Sequence, residues 1–325
     1  MQTNDQRTSI EDKLINALYF MGKISFANIY KVSKFDWERC SRTDKGVSAM
    51  TIVVTGKMLD YDDVFDNTHH SPQIVNKLNA VLPDDIRVFS YVRVSNRFNP
   101  HLNTFSRQYF YFVPVTRLQR MGVSMDPSLF ASSLSVLKGT HFMKNYTGAV
   151  RHRNKNLRQF YVRTINSMTT RTITQEGEEF WEVSVNGNSF LYHQIRKMLG
   201  AAIATACGSW SFEYLKKSFE LPQIPIPLAP GVPLVLRSVS FRCDKHIYLN
   251  KEELAQVVEC GKRKKNPNPN KRYDILLLLN DDEQRRSRQF FESFTFPRML
   301  GDIAKDTKNF EDFVASLHLG EKYTS

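Results

Sequence analysis

Residues 162–185 constrain the fold more than any other stretch. Val162 to Thr174 and Phe180 to Val185 are rich in strand-forming residues, and a Glu176-Gly177 turn joins them. This pattern predicts a long hairpin, which commits the chain to antiparallel sheet. A sheet of that kind needs helices to cover its apolar face. The flanking sequence supplies them. Pro127 to Leu137 predicts a helix with Phe130, Leu134 and Leu137 turned inward, and Phe190 to Cys207 predicts the clearest helix in the chain.

The remaining pattern extends this α+β reading. Ser9 and Asp12 have capping-box spacing, and Ile10, Leu14, Leu18 and Met21 recur at helical intervals, so 10–21 is expected to be a helix. Strands are expected to begin at Thr51 to Val54, over Ile86 to Val94, and over Arg107 to Val113. In the last of these, Arg107, Tyr109, Tyr111 and Val113 share one face. Further helices are expected at 72–81, 212–219, 283–296 and 309–318, the last two packing back on the body. A Pro-rich linker, Pro222 to Pro233, leads to a strand from Leu234 to Phe241. Helix, strand, helix, strand, strand thus occurs roughly twice. The division expected is 1–115 and 116–245 as two α+β halves, with 246–325 as a basic loop and helical extension. Within that extension, Lys262 to Arg272 is basic and broken by Pro and Asn. It is read first as a solvated loop, with a nuclear-import signal or an RNA-contacting arm as alternatives.

Charge narrows the partners. Forty-five Lys and Arg against 33 Asp and Glu give the 325-residue chain a net charge of +12. A surplus of that size points to a polyanion, most often nucleic acid. No apolar run approaches the ~18 residues of a spanning helix, so no membrane partner is expected. Cys40, Cys207, Cys243 and Cys260 contain no C-x-x-C pair and are read as free thiols, with no metal site. His69 and His70 are adjacent and are read as loop residues.

The candidate chemistry lies in Ser41-Arg-Thr-Asp-Lys-Gly-Val-Ser-Ala49. Here one acid, Asp44, precedes a Lys-Gly turn and follows Arg42. Taken alone, the stretch reads as a solvated Asp-Lys-Gly turn. A carboxylate held on a loop by anchored flanks is the sharper alternative.

Four motifs in sequence resemble the tRNA pseudouridine synthases of the TruA/Pus1 type. They are Cys40 to Ala49; Arg97-Phe-Asn99 with Arg107 to Tyr111; Gly139-Thr-His141 with Asn145-Tyr-Thr147; and Ser189 to Gly200 with Leu228 to Leu234 after it. The Lys-Gly-Val-Ser form of the first and His193-Gln-Ile-Arg-Lys197 in the last resemble the eukaryotic Pus1-like branch. A Pus3-like branch acting on the anticodon stem is the alternative. The resemblance implies two ferredoxin-like halves forming an extended antiparallel sheet, with helices on one side and a basic active-site cleft between them. It also implies that the family's first strand is missing, because Thr8-Ser-Ile-Glu-Asp12 matches the first helix and little precedes it.

The same resemblance implies isomerisation of uridine to pseudouridine within RNA, chiefly tRNA, with no cofactor. Asp44 would be the nucleophile and Arg196 its ion-pair partner, against a surface-arginine reading. His193, Arg196 and Gly200 are expected on one helix face. Tyr109 would stack on the target base and take the C5 proton, and Leu234 would pack on the base's other side; each has a plain core reading. Arg42, Lys45, Arg107, His141, Lys144 and Asn145 would contact RNA, with a turn role as the alternative for Asn145. A nuclear monomer is expected. The rival of another class is a non-catalytic RNA-binding protein derived from the family.

Overall fold

The computed structural model describes residues 9–59, 63–66, 69–96, 98–148, 158–220, 223–241 and 279–317. Arg97 and the basic 262–272 segment lie outside them. The fold is mixed α+β with a mainly antiparallel sheet, and it groups into two compact units. The first comprises Met1–Arg42, Ile52–Phe105 and Ser240–Thr295, the second Thr43–Thr51, Ser106–Val239 and Phe296–Ser325.

In the first unit the capping box forms as expected. Ser9 and Asp12 bond reciprocally and open the helix Ile10–Phe20, whose Ile15, Ala17 and Leu18 enter a core with Phe35, Trp37, Ile74 and Leu78. The Trp37 indole N–H donates to Glu11, and Arg39 pairs with the same carboxylate at 3.0 Å. The helix Pro72–Val81 contributes Ile74, Val75 and Leu78.

Two strand expectations need correction here. Thr51 to Val54 enters pairing only at its end, where Val54–Thr55 runs antiparallel to Glu38–Arg39. Among the described residues Ile86 to Val94 forms only an isolated bridge, His70 to Val92. The apolar alternation is real, but a side chain replaces the ladder. The Asn79 amide donates to the Val88 carbonyl and accepts from its N–H, both at 2.8 Å. Satisfied this way, the backbone of 88 needs no neighbouring strand. Later in the chain, Asn280 and Glu283 form a second capping box at the start of the helix Asp281–Phe290. Glu283 is buried and reaches His70 Nδ1 at 3.1 Å. A π-helical turn, Phe291–Thr295, follows.

Most of the six-stranded sheet lies in the second unit. Its spatial order is Ser48–Ala49, Leu234–Phe241, Thr104–Pro114, Glu178–Gly187, Val162–Gln175, Gly139–Phe142. The long hairpin is present, and its turn places Glu176 and Gly177 at φ 53° and 78°. Two successive left-handed residues give the twist that tight hairpins require. One pairing departs from the antiparallel expectation: Ser48–Ala49 runs parallel to Val235–Leu236. Met50 N–H extends that contact to Leu236 O at 2.8 Å.

Helices cover the sheet as predicted. Pro127–Leu137 buries Phe130, Leu134 and Leu137, and Asp126 caps it. Phe130 packs on Trp181 of the hairpin at 4.8 Å between ring centroids. The helices Phe296–Lys305 and Thr307–Leu317 pack back within this unit. Phe296 meets Phe112 at 4.8 Å, and the Arg117 guanidinium lies over the Phe310 ring at 4.6 Å.

The helix expected from Phe190 begins later, at Gln194, and runs to Ala206. His193 breaks it with φ 65°. The Tyr192 carbonyl is diverted, accepting from Thr147 Oγ1 and from Gly148 N–H, both at 3.1 Å. His193 is therefore the N-cap residue and not part of the helix.

Candidate active site

Asp44 ends an irregular stretch and begins a turn. Its carbonyl accepts from Val47 N–H at 3.1 Å, and Gly46 sits at φ 83°, where a side chain would be strained. The plain turn reading therefore holds for the backbone. Its outgoing arm is fixed, because Val47 is buried and Ser48–Ala49 joins the sheet. The Asp44 side chain keeps 29% of its surface exposed.

The turn brings Asp44 to the start of the Gln194–Ala206 helix. Arg196 Nη1 lies 3.6 Å from Asp44 Oδ2, and His193 Nε2 lies 3.5 Å from the same oxygen. At 3.6 Å the guanidinium contributes charge rather than a formed hydrogen bond. Its orientation is set from behind. Arg196 Nε donates to Ala229 O at 2.7 Å, and Ala229 N–H returns to Arg196 O at 3.3 Å. Gly231 lies against the guanidinium: a Cβ there would stand 3.6 Å from Cζ. Tyr111, fully buried in the strand Thr104–Pro114, donates its hydroxyl to Pro230 O at 3.1 Å. Burial pushes that phenol far above its ordinary range, although the Arg196 charge pulls the other way. The 229–231 segment is thus pinned by a core phenol and by the arginine it supports.

Three more groups shape the pair's surroundings. Lys197 Nζ donates to the carbonyls of Asn145 and Thr147 at 3.0 and 2.8 Å, and burial lowers its pKa. Burial lowers the His193 pKa as well, helped by Arg196 and Lys197 and opposed by Asp44. The Tyr192 ring stacks on His193 with centroids 3.7 Å apart.

The other expected site residues lie as follows. Tyr109 is buried, with its ring edge-to-face on Phe190 at 5.4 Å. Arg107, on the same strand face, donates to Asn188 O at 3.1 Å. Leu234 is buried at the start of its strand, and its N–H bonds Gly231 O at 3.0 Å. Lys45 is exposed beside Asp44, and Arg42 is exposed in the first unit. Asn145 is buried and donates to Ser218 O at 2.9 Å, a contact to the C-cap of the helix Phe212–Lys217 and not within its own turn. His141 stacks on Phe219 at 4.1 Å. It lines a cavity of about 750 Å³ with Phe142, Lys144, Arg158 and Tyr161.

The sequence reading missed His193 as a neighbour of the carboxylate, and it missed the 229–231 backbone as the seat of Arg196. The motif Leu228 to Leu234 is the available signal. Among the described residues no three His, Cys, Asp or Glu gather into a metal site. Cys40 and Cys207 form no disulfide among the described residues, and Cys243 and Cys260 lie outside the described residues.

The sequence that carries this sheet and helix is similar to that of known proteins. Residues 134–242 fit the family model described as tRNA pseudouridine synthase. The mouse Pseudouridylate synthase 1 homolog is 32% identical over 254 residues, which cover 74% of this chain and 57% of that protein. Residues 134–242 of this chain belong to the tRNA pseudouridine synthase family. The human Pseudouridylate synthase 1 homolog is 31% identical over 74% of this chain and 56% of its own length. The bovine tRNA pseudouridine(38/39) synthase is 28% identical over 76% and 53%. The chain thus spans little more than half the length of these relatives. The matched family segment contains Arg196 and Leu234; Asp44 and Tyr109 precede it.

Proposed function

We propose that this chain isomerises uridine to pseudouridine in RNA, with tRNA as its principal substrate and Asp44 as nucleophile. The single observation that carries the reading is the Asp44–Arg196 pair, 3.6 Å apart and buttressed by the Ala229 carbonyl. Attack by a carboxylate at a sugar carbon needs the ionised form. A fixed guanidinium faces the carboxylate while leaving it partly exposed to substrate.

The reaction balances without an external reagent. The C1′–N1 bond of uridine breaks as Asp44 engages the sugar. The base turns, C5 bonds to C1′, C5 gives up its proton and N1 receives one. Tyr109 is assigned to stack on the base and take the C5 proton, with Leu234 against the opposite face. The base must leave its helical stack to be reached. Lys45, Arg42, Arg107, His141, Lys144 and Asn145 are assigned to hold the surrounding RNA. Phosphate contacts of this kind fix register and carry no sequence information, so selection rests on RNA shape.

The proposal extends to two ferredoxin-like halves and to a nuclear monomer that also takes messenger or small nuclear RNA. A second reading, action on the anticodon stem, is favoured by the identity to the tRNA pseudouridine(38/39) synthase of cattle. Mapping modified positions separates the two.

The decisive experiment measures release of tritium from uridine C5 of tRNA by the chain and by Asp44→Ala. Release by the first alone supports the synthase and its nucleophile. Binding without release by either favours the non-catalytic RNA-binding rival.

A further inference from the structure

His193 sits where the site's backbone is most unusual. Its φ of 65° is left-handed, a region that side-chain-bearing residues keep only where surroundings enforce it. The enforcement is visible. Thr147 and Gly148 both donate to the Tyr192 carbonyl, and Lys197 holds the Asn145 and Thr147 carbonyls from the helix side. Gly148 faces the two rings so closely that a Cβ would stand 2.8 Å from Tyr192 Cδ1 and 3.3 Å from His193 Nδ1. N-cap residues commonly spend their side chain on their own helix, but His193 does not. Its Nε2 is aimed instead at Asp44 Oδ2, 3.5 Å away.

We infer that His193 is a positioning residue for Asp44: its Nε2–H and Arg196 bracket the single oxygen Oδ2, so that Oδ1 is the atom presented to the sugar carbon. The inference rests on the synthase reading above. One guanidinium at 3.6 Å leaves the carboxylate free to turn about its own bond. A second electrostatic contact on the same oxygen, at 3.5 Å, narrows that freedom, and misplacement of a reacting atom by about 1 Å can cost on the order of 100-fold in rate.

The charged and titratable groups around the ring are Asp44, Arg196, Lys197 and Tyr192. Burial and the two cations depress the imidazole pKa against the pull of Asp44. Near neutrality the ring is therefore an uncharged donor. Acidification adds a second full cation against Oδ2 and weakens the nucleophile, so single-turnover rates fall on the acid side.

His193→Gly and His193→Gln test this. Glycine accepts the left-handed backbone at no cost and removes the ring; glutamine keeps an amide donor near the Nε2 position. The expected result for glycine is a single-turnover rate lower by on the order of 10- to 100-fold, with tRNA affinity unchanged and the acid limb altered. Glutamine is expected to recover most of the rate. Glycine at the wild-type rate, an equal loss of rate and binding, or glutamine as slow as glycine overturns the inference. A readout independent of turnover is the His193 ring pKa followed by NMR, which should fall in Asp44→Asn because the raising charge is gone. An unchanged ring pKa refutes the contact even if the wild-type chain releases no tritium, which would itself sink the synthase reading instead.

Discussion

Gly200 tests whether the arginine seat is as rigid as its contacts imply. It is buried in the Gln194–Ala206 helix, and a Cβ there would lie 2.0 Å from the Pro227 carbonyl oxygen and 2.8 Å from its carbon. Real Cβ contacts stay beyond 3.0 Å, and the obstruction is backbone, so Gly200→Ala forces helix and loop apart by at least an ångström. Helix propensity favours alanine by about 1 kcal/mol. Overpacking costs about 1–3 kcal/mol. The same separation strains the Arg196–Ala229 pair of hydrogen bonds, worth about 1.5–3 kcal/mol for the one made by a charged donor. The sum predicts net destabilisation of about 2–4 kcal/mol, with a fall in melting temperature on the order of 10 °C. Calorimetry or urea titration reads this directly. At low temperature, where the variant is still folded, pseudouridine formation should also fall, because Arg196 loses its backing. A melting temperature equal to or above wild type would refute the reasoning, since propensity would then have won over packing.

Other expectations concern charge. Arg196→Met should lower the single-turnover rate by about 100- to 1,000-fold and leave tRNA affinity nearly intact; parallel loss of both would make Arg196 a phosphate contact. The His70–Glu283 pair should give the first unit a pH-dependent stability. The bond from Glu283 raises the His70 pKa above 6.5, outweighing burial. That contribution is complete below 6.5 and is lost as pH rises through the raised value. For Glu283, burial pushes upward, but bonds from His70, the Asn280 backbone and Ser90 hold it below 4.5. Its contribution is complete above 4.5 and disappears as pH falls through the lowered value. Urea unfolding of Glu283→Gln should therefore show its largest penalty near pH 5.5 and a smaller one at pH 8.5; equal penalties would disprove the coupling. Binding of tRNA should weaken steeply with salt, each neutralised phosphate adding about −0.7 to −0.9 to the log–log slope, and a flat response would argue against a basic RNA surface.

What the sequence made legible was local. The hairpin turn, the helix Pro127–Leu137 and the strand Leu234–Phe241 each depend on neighbours in the chain, and each forms where the pattern places it. What it concealed was set from a distance. Ile86 to Val94 alternates like a strand, yet the Asn79 side chain takes the ladder bonds at Val88. His193 carries nothing that announces a left-handed backbone; contacts from Thr147 and Gly148 impose it. For the site, motif resemblance singled out Asp44 and Arg196, and the structure brings them together. Their support was hidden because it consists of backbone carbonyls, which no residue type reveals.

The parallel pairing of Ser48–Ala49 with Val235–Leu236 has a consequence for the order of assembly. Asp44 leaves the ribosome early, but the strand that anchors its loop is made only after the hairpin, both covering helices and the arginine have emerged. Closing so distant a contact is slow relative to the local elements, and domains form as their sequence becomes available. The acid and its cation therefore meet late in the second unit's folding. A nascent chain stopped before Leu234 would hold both residues and no assembled pair.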